Sequence, residues 1–164
     1  MDSTVLVERV GELLAARQWS LSVAESATGG LLSHWITRVS GSSRFFTGGL
    51  IAYANEVKVD LLKVRTEDLF RWGAVSAVVG LDMAEGVRQA LHTDVGIGIT
   101  GIAGPTGATP TKPVGLYYLG LAWPGERRVW RHIFRQDRIG NNAAAATAAL
   151  RHLLEQVGGW QSEP

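Results

Sequence analysis

The chain has 164 residues, of which 46% are apolar and 19% are charged, a balance typical of one globular domain rather than a disordered segment. Its net charge of +1 gives no electrostatic reason to expect binding to nucleic acid or to an anionic membrane. The absence of cysteine excludes disulfides, thiol catalysis and thiolate metal sites. No apolar run reaches membrane-spanning length and no secretory signal pattern begins the chain, so we expect a cytoplasmic protein.

Helices and strands are predicted to alternate along the chain. A helix from Ser3 precedes a short strand over residues 20–24, and a second helix follows Gly30. Residues 95–100 form a buried strand, and two further strands flank Pro124-Gly125, which is a hairpin signal. Ser76 is predicted to cap the helix that precedes residues 95–100, and an alanine-rich helix over residues 140–156 comes last. This alternation predicts one domain, a three-layer α/β/α sandwich with a mixed, mainly parallel sheet.

The segment over residues 40–62 carries the main functional prediction. It opens with a small-residue turn that includes Ser43, and its apolar residues 50–54 predict a buried strand. Asn55 is predicted to cap the next helix, which carries Lys58 in its first turn. We therefore expect a serine and a lysine to meet at one corner between strand and helix.

Each of these side chains also has a plain structural explanation. Ser43 could serve only a turn, Tyr53 could be a packed core tyrosine, and Lys58 could be a surface lysine. Together they suggest a serine nucleophile with an amine base, a known variant of the catalytic triad. Burial would lower the pKa of such a lysine, so that it could accept a proton near neutral pH.

Four glycine-rich corners are candidates for binding a ligand, over residues 25–30, 41–43, 100–107 and 112–115. In an open α/β sheet, corners at the carboxyl ends of strands form the ligand crevice. Thr28-Gly29-Gly30 opens a helix, where free N–H groups favour an anion such as phosphate. Because glycines also serve ordinary turns, each corner remains ambiguous by itself. No P-loop or dinucleotide fingerprint is present.

The histidines do not predict a metal site. They are scattered, and no pair has metal-ligand spacing near an acidic residue, so surface or packing positions are expected for His34, His92, His132 and His152. We expect no metal and no cofactor.

Five motifs in order along nearly the whole chain together resemble the family of CinA C-terminal domains, the nicotinamide-nucleotide amidases. They are AESATGG, GSSRFFTGGLIAYANEVKVDLL, WGAVS, ITGIAGP and KPVG. The length fits the stand-alone form of the family. Two departures are Ala27, where the family often has cysteine, and Gln136-Asp137-Arg138 in place of Gly-Asp-Arg.

The resemblance implies hydrolysis of nicotinamide mononucleotide to nicotinic acid mononucleotide and ammonia, without metal. It places the nucleophile at Ser43, the base at Lys58 and an assisting hydroxyl at Tyr53, although the adjacent Ser42 is not separated from Ser43 by sequence. The residues expected to bind substrate come from the glycine-rich corners: Glu25, Ser26, Thr28, Gly29, Gly30, Ser42, Thr100, Gly101 and Gly104. The expected partner is this small nucleotide, with neither nucleic acid nor membrane, and a homo-oligomer is left open. The alternative is a nucleotide-binding module of the same fold that is catalytically weak or inactive.

Overall fold

The computed structural model describes residues 2–159. The strands are β1 (Leu21–Glu25), β2 (Phe46–Ile51), β3 (Val95–Gly101), β4 (Leu116–Trp123) and β5 (Glu126–Ile133). The helices are α1 (Ser3–Arg17), α2 (Leu31–Thr37), α3 (Asn55–Leu62), α4 (Thr66–Trp72), α5 (Ala77–Ala90) and α6 (Arg138–Gly158). A short 3-10 turn, Ser42–Arg44, precedes β2. None of the helices within residues 2–159 is long and apolar enough to cross a membrane.

The five strands form one mixed sheet in the order β2-β1-β3-β4-β5. β1 pairs in parallel with both β2 and β3, whereas β4 runs antiparallel to β3 and to β5. Four of these strands therefore point the same way and β4 points the opposite way. This arrangement confirms the predicted mixed α/β sheet, and the turn between β4 and β5 is the predicted hairpin.

Helices cover both faces of the sheet and complete the three-layer sandwich. α1, α2 and α6 pack together over one face around a large apolar core, and α3, α4 and α5 lie over the other. α5 approaches the sheet closely because the contact residues are glycines. A Cβ added to Gly98 would lie 2.4 Å from the carbonyl oxygen of Gly80, and one added to Gly120 would lie 2.1 Å from it.

The predicted buried strand over residues 50–54 is wrong in its bounds and its burial. β2 ends at Ile51 and is an edge strand, hydrogen-bonded only to β1, with alternate residues exposed. Ile51 is 55% exposed and Tyr53 is 63% exposed. An apolar run of this length does not distinguish an edge strand from a central one, because that depends on which strands pair beside it.

The predicted helix starts agree with the structure to within two residues. Ser76 caps α5 as expected, since its hydroxyl accepts a hydrogen bond from the N–H of Val79 at 3.4 Å. Asn55 is instead the first residue of α3, and Ala54 occupies the cap position. α6 starts after Asp137, whose carboxylate accepts from the N–H of Gly140 at 2.7 Å.

Candidate active site

A cavity of about 260 Å³ opens where three parallel strands end. The carboxyl ends of β1, β2 and β3 lie side by side, and each runs directly into a residue that lines the cavity or lies near it. Ser26 follows β1, Tyr53 follows β2 and Gly101 ends β3, while Arg138 enters from the start of α6. The crevice therefore lies at the carboxyl ends of the strands, as predicted for an open α/β sheet.

Lys58 is the main feature of the site because it is a lysine that is only 1% exposed. Its Nζ lies 3.2 Å from the Oγ of Ser26, 2.8 Å from the carbonyl oxygen of Ala52 and 3.1 Å from that of Tyr53. The two carbonyls belong to the short connection between β2 and α3, so the amine is held by its own local segment. The serine comes from β1, on the neighbouring strand.

Burial lowers the pKa of Lys58 from its ordinary value of 10.5, and this effect exceeds the opposing effect of the Glu56 charge. No carboxylate within residues 2–159 lies at ion-pair distance from the amine. The three contacts of Nζ are all oxygen atoms, so they can accept the three N–H groups of an ammonium. Burial favours the neutral amine, which has two N–H donors and one lone pair. In that neutral form the two N–H groups can donate to the Ala52 and Tyr53 carbonyls, and the lone pair can accept the O–H of Ser26.

The predicted meeting of Ser43 with Lys58 is wrong. Ser42 and Ser43 lie in the turn before β2, whereas Lys58 follows the end of that strand. Six extended residues separate the two ends by about 17 Å. Although Ser43 is close to Lys58 in the sequence, it lies at the opposite end of β2. Neither Ser42 nor Ser43 lines the cavity.

Tyr53 reaches the cavity, but not in the expected way. Its backbone carbonyl, rather than its hydroxyl, contacts Lys58. The phenolic oxygen instead accepts a long hydrogen bond of 3.4 Å from Nη2 of Arg138. Tyr53 thus lines the cavity, and its hydroxyl contacts the Arg138 guanidinium rather than the amine of Lys58.

The glycine-rich corner that opens α2 does not provide a free anion site. The Glu25 carboxylate, 1% exposed, accepts hydrogen bonds from the N–H groups of Gly30, Leu32 and Ser33 and from the Ser33 hydroxyl. A phosphate would need these same donors, so the predicted site is already filled by the protein's own carboxylate. Glu25 is therefore a structural residue that fixes the turn next to Ser26.

The remaining members of this corner lie outside the cavity as well. Thr28 is buried, and its hydroxyl has no hydrogen-bond partner among the described residues. Gly29 is exposed and has a positive φ of 60°, as a turn residue does. Of the predicted binding residues at this corner, the cavity receives only Ser26.

The corner after β3 does contribute to the cavity through Gly101 and Gly104. Thr100 does not, because its buried hydroxyl donates to the Ala74 carbonyl at 2.8 Å and so holds the turn before α5. Gly101 must be a glycine here, since an added Cβ would lie 2.3 Å from the ring of Tyr117. Burial raises the pKa of Tyr117 to about 12, and its neutral hydroxyl donates to Asn142 at 2.6 Å.

Two residues at the start of α6 were not predicted to act at the site. Nη1 of Arg138 donates to the Gly104 carbonyl at 2.9 Å, and the guanidinium is the charged group among the residues that line the cavity. Asn141, fully buried, donates to the Ala103 carbonyl at 3.0 Å. The signal in the sequence for these residues is the motif Gln136-Asp137-Arg138. Gln136 has no positive φ, so a glycine is not needed at that position.

The histidines are not all scattered. His132 on β5 and His152 on α6 lie together, with their Nε2 atoms 2.8 Å apart, and Glu155 contacts Nδ1 of His152 at 3.3 Å. Burial lowers the pKa of both imidazoles. The ring centroids of the two histidines are 5.1 Å apart, as expected when one nitrogen of each ring faces the other in a hydrogen bond. No group of three or more potential metal ligands occurs within residues 2–159.

Comparison with known proteins identifies a consistent set of relatives. Residues 3–157 match the model of the CinA C-terminal domain. The chain is 53% identical over 149 residues to a putative competence-damage inducible protein of Moorella thermoacetica, covering 91% of this chain and 36% of that protein. It is 52% identical over 159 residues to a CinA-like protein of Microcystis aeruginosa, covering 95% of this chain and 38% of that one. The chain thus spans little more than a third of these curated relatives.

Two solved structures are similar over almost their whole length. The competence damage-inducible protein A of Klebsiella pneumoniae superposes with a TM-score of 0.93 at 30% identity, covering 98% of this chain and 100% of that one. The competence/damage inducible protein CihA of Agrobacterium tumefaciens gives a TM-score of 0.88 at 34% identity, covering 94% of each chain.

Proposed function

Since this chain belongs to the family of the CinA C-terminal domain, we propose that it hydrolyses the carboxamide of nicotinamide mononucleotide. The products would be nicotinic acid mononucleotide and ammonia. The nucleophile in this proposal is Ser26 and the base is Lys58, which replaces the assignment of Ser43 made from the sequence. The amide as substrate rests on the resemblance of the motifs, and the assignment of the serine rests on the geometry of the site.

The observation that carries the proposal is the contact between the buried amine of Lys58 and the hydroxyl of Ser26. A lysine with a carboxylate partner would stay charged and could not accept a proton from serine. Lys58 instead has two carbonyl acceptors and a hydroxyl, and burial lowers its pKa. These are the conditions under which a lysine can act as a general base.

The reaction then proceeds through an acyl-enzyme. Lys58 takes the proton of Ser26 as Oγ attacks the amide carbon, and the ammonium returns that proton to the amide nitrogen as the C–N bond breaks. Ammonia leaves, and a water molecule, deprotonated by the same amine, attacks the ester. Hydrolysis of the ester releases the carboxylic acid and restores the Ser26 hydroxyl.

The negative charge that develops on the carbonyl oxygen needs donors fixed in place before the reaction. Ala27 and Gly104 line the cavity next to Ser26, and their backbone N–H groups are our candidates for these donors. Each such donor contributes about 3 kcal/mol to stabilisation of the transition state. Hydrogen bonds of Glu25 and Asn141 fix the two loops that carry Ala27 and Gly104.

Arg138 is our candidate for recognition of the substrate phosphate. It replaces the corner at Thr28-Gly29-Gly30, whose N–H groups are engaged by Glu25. A guanidinium can donate two parallel hydrogen bonds to a phosphate, and Arg138 lines the same cavity as Ser26. The amide would then lie at the Ser26 end of the cavity and the phosphate near Arg138.

The proposal is tested by measuring ammonia release from nicotinamide mononucleotide by the purified protein and by Ser26→Ala. We expect turnover by the wild type and a loss of several orders of magnitude in the variant, with binding of the nucleotide retained. Ser43→Ala is the matched control, because it removes the same hydroxyl at the far end of β2, and it should keep wild-type turnover.

Two results would contradict the proposal in different ways. Full activity of Ser26→Ala together with loss in Ser43→Ala would return the nucleophile to the residue predicted from sequence. Saturable binding of the nucleotide by the wild type without ammonia release would identify a binding module instead of an enzyme.

A further inference from the structure

Two consecutive backbone carbonyls of the loop after β3 are held by side chains at the start of α6. Nδ2 of Asn141 donates to the Ala103 carbonyl at 3.0 Å. Nη1 of Arg138 donates to the Gly104 carbonyl at 2.9 Å. Gly104 itself lines the cavity beside Ser26. The loop that borders the cavity is therefore oriented by α6 and not only by its own turn.

The side-chain amide of Asn141 satisfies its contacts in only one orientation. Oδ1 accepts from the N–H of Gln136 at 3.0 Å, while Nδ2 donates to the Ala103 carbonyl. Turning the amide over would set oxygen against oxygen and N–H against N–H, and the residue is fully buried, so solvent could not satisfy these groups. The backbone of Asn141 is also fixed, because its N–H donates to the Asp137 carbonyl at 2.8 Å.

The hydrogen bond from Asn141 fixes the direction of the next N–H group as well. The carbonyl of Ala103 and the N–H of Gly104 belong to one planar trans peptide, in which they point in opposite directions. Because the carbonyl is held toward α6, the Gly104 N–H points away from that helix. This N–H has no hydrogen-bond acceptor within residues 2–159, although it belongs to a residue that lines the cavity.

The backbone at this position does not by itself select the orientation of the peptide. A flip of the Ala103–Gly104 peptide changes the φ of Gly104, which is 84° in the structure. Glycine adopts positive and negative φ about equally well, so it does not resist the flip. The flip would exchange the Gly104 N–H for the Ala103 carbonyl and so replace a hydrogen-bond donor by an acceptor.

We propose that Asn141 is a positioning residue, which locks the Ala103–Gly104 peptide in the orientation that presents the Gly104 N–H to the cavity. The inference rests on the proposed amide hydrolysis, in which this N–H stabilises the negative charge on the carbonyl oxygen of the substrate. A backbone carbonyl in its place would repel that charge. Asn141 does not line the cavity, so it acts through the peptide and not on the substrate.

Ammonia release from nicotinamide mononucleotide by Asn141→Leu tests the lock. Leucine has a similar size but cannot donate, so we expect kcat to fall about a hundredfold and KM to change by less than about threefold. The loss should fall on kcat because the donor acts on the transition state. A general displacement of the loop would also move its contact with Arg138 and raise KM.

Asn142→Leu is the matched control, because it makes the same substitution at the next position of α6. It removes the acceptor of the Tyr117 hydroxyl, so it should lower stability but keep the kcat of the wild type. Activity is measured below the melting temperature of each variant, as determined by circular dichroism. Equal losses of kcat in Asn141→Leu and Asn142→Leu, or the kcat of the wild type in Asn141→Leu, would overturn the proposal.

Asn141→Asp tests the orientation of the peptide directly. Aspartate keeps the size of the side chain and can still accept from the Gln136 N–H, but it brings an oxygen against the Ala103 carbonyl. A crystal structure of this variant at mildly alkaline pH should show the carbonyl turned away from α6, and an unturned carbonyl would refute the lock. The structure requires no turnover, so it decides the lock even if the wild type releases no ammonia, a result that would count against the proposed function.

Discussion

Replacement of Lys58 by methionine tests whether burial of the amine destabilises its charged form. Methionine has a similar length and no charge, so it removes the cost of burying an ammonium. It also leaves the Ala52 carbonyl without its donor, at a cost of about 1–3 kcal/mol. These two effects oppose each other at neutral pH. The absolute difference in stability is therefore not decisive, but its dependence on pH is.

The sign of this dependence follows from the lowered pKa of Lys58 in the folded protein. Between that pKa and the ordinary value of 10.5, the unfolded chain binds a proton that the folded chain does not, so stability rises with pH. One proton gives a slope of at most about 1.4 kcal/mol per pH unit. Relative to Lys58→Met, the wild type should therefore gain stability across this window and show no further gain above its upper end.

Urea unfolding of both proteins over a series of alkaline pH values measures the effect. Groups shared by the two proteins, such as Tyr117, cancel in the difference. Lys63→Met is the matched control, because it makes the same substitution at an exposed lysine at the end of the same helix and so removes no buried amine. A difference for Lys58→Met that stays constant would show that folding does not shift the pKa of the amine, and one that falls as pH rises would show that the folded site stabilises the charged amine; either result contradicts the prediction.

Three further predictions concern the site. Lys58→Arg should lower turnover of nicotinamide mononucleotide by about 10²–10⁴-fold, because guanidinium does not deprotonate. The kcat/KM of the wild type should rise with pH. A Lys58→Arg variant that stays active would show that this position supplies only charge. Arg138→Ala should raise KM for the mononucleotide but barely change it for the riboside without phosphate, and equal changes for both would exclude a phosphate contact. Glu25→Ala should lower the free energy of unfolding in urea by about 3 kcal/mol, because buried N–H groups at the start of α2 lose their acceptor; a loss under about 1 kcal/mol would contradict this.

Local sequence signals predicted much of the fold. The apolar run at β3, the Pro124-Gly125 turn and the cap at Ser76 all depend on interactions between residues close in the chain. The exposure of β2 could not be predicted from such local signals. Its exposure follows from strand order, because β1 pairs with β2 on one side and with β3 on the other and leaves β2 at the edge.

The sequence predicts half of the proposed catalytic pair. The sequence points to Lys58 as the base but to Ser26 only as a binding residue, because 32 residues separate Ser26 from the amine. Ser43 is the predicted nucleophile because it is nearer to Lys58 in the sequence. However, β2 lies between them and separates the two residues in space. The anion site at Gly30 failed for a related reason, since a glycine-rich helix start does not reveal that Glu25 already occupies it.

The edge position of β2 also affects how the site loses function on heating. Lys58 and both carbonyls that hold it belong to the segment over β2 and α3, whereas Ser26 directly follows the interior strand β1. Edge segments with exposed hydrogen bonds open locally at a lower free energy than the whole domain. Detachment of β2 would separate the amine from the hydroxyl while the other four strands stay paired. Thermal inactivation should therefore begin below the melting temperature of the domain, and amide hydrogens of β2 should exchange faster than those of β1.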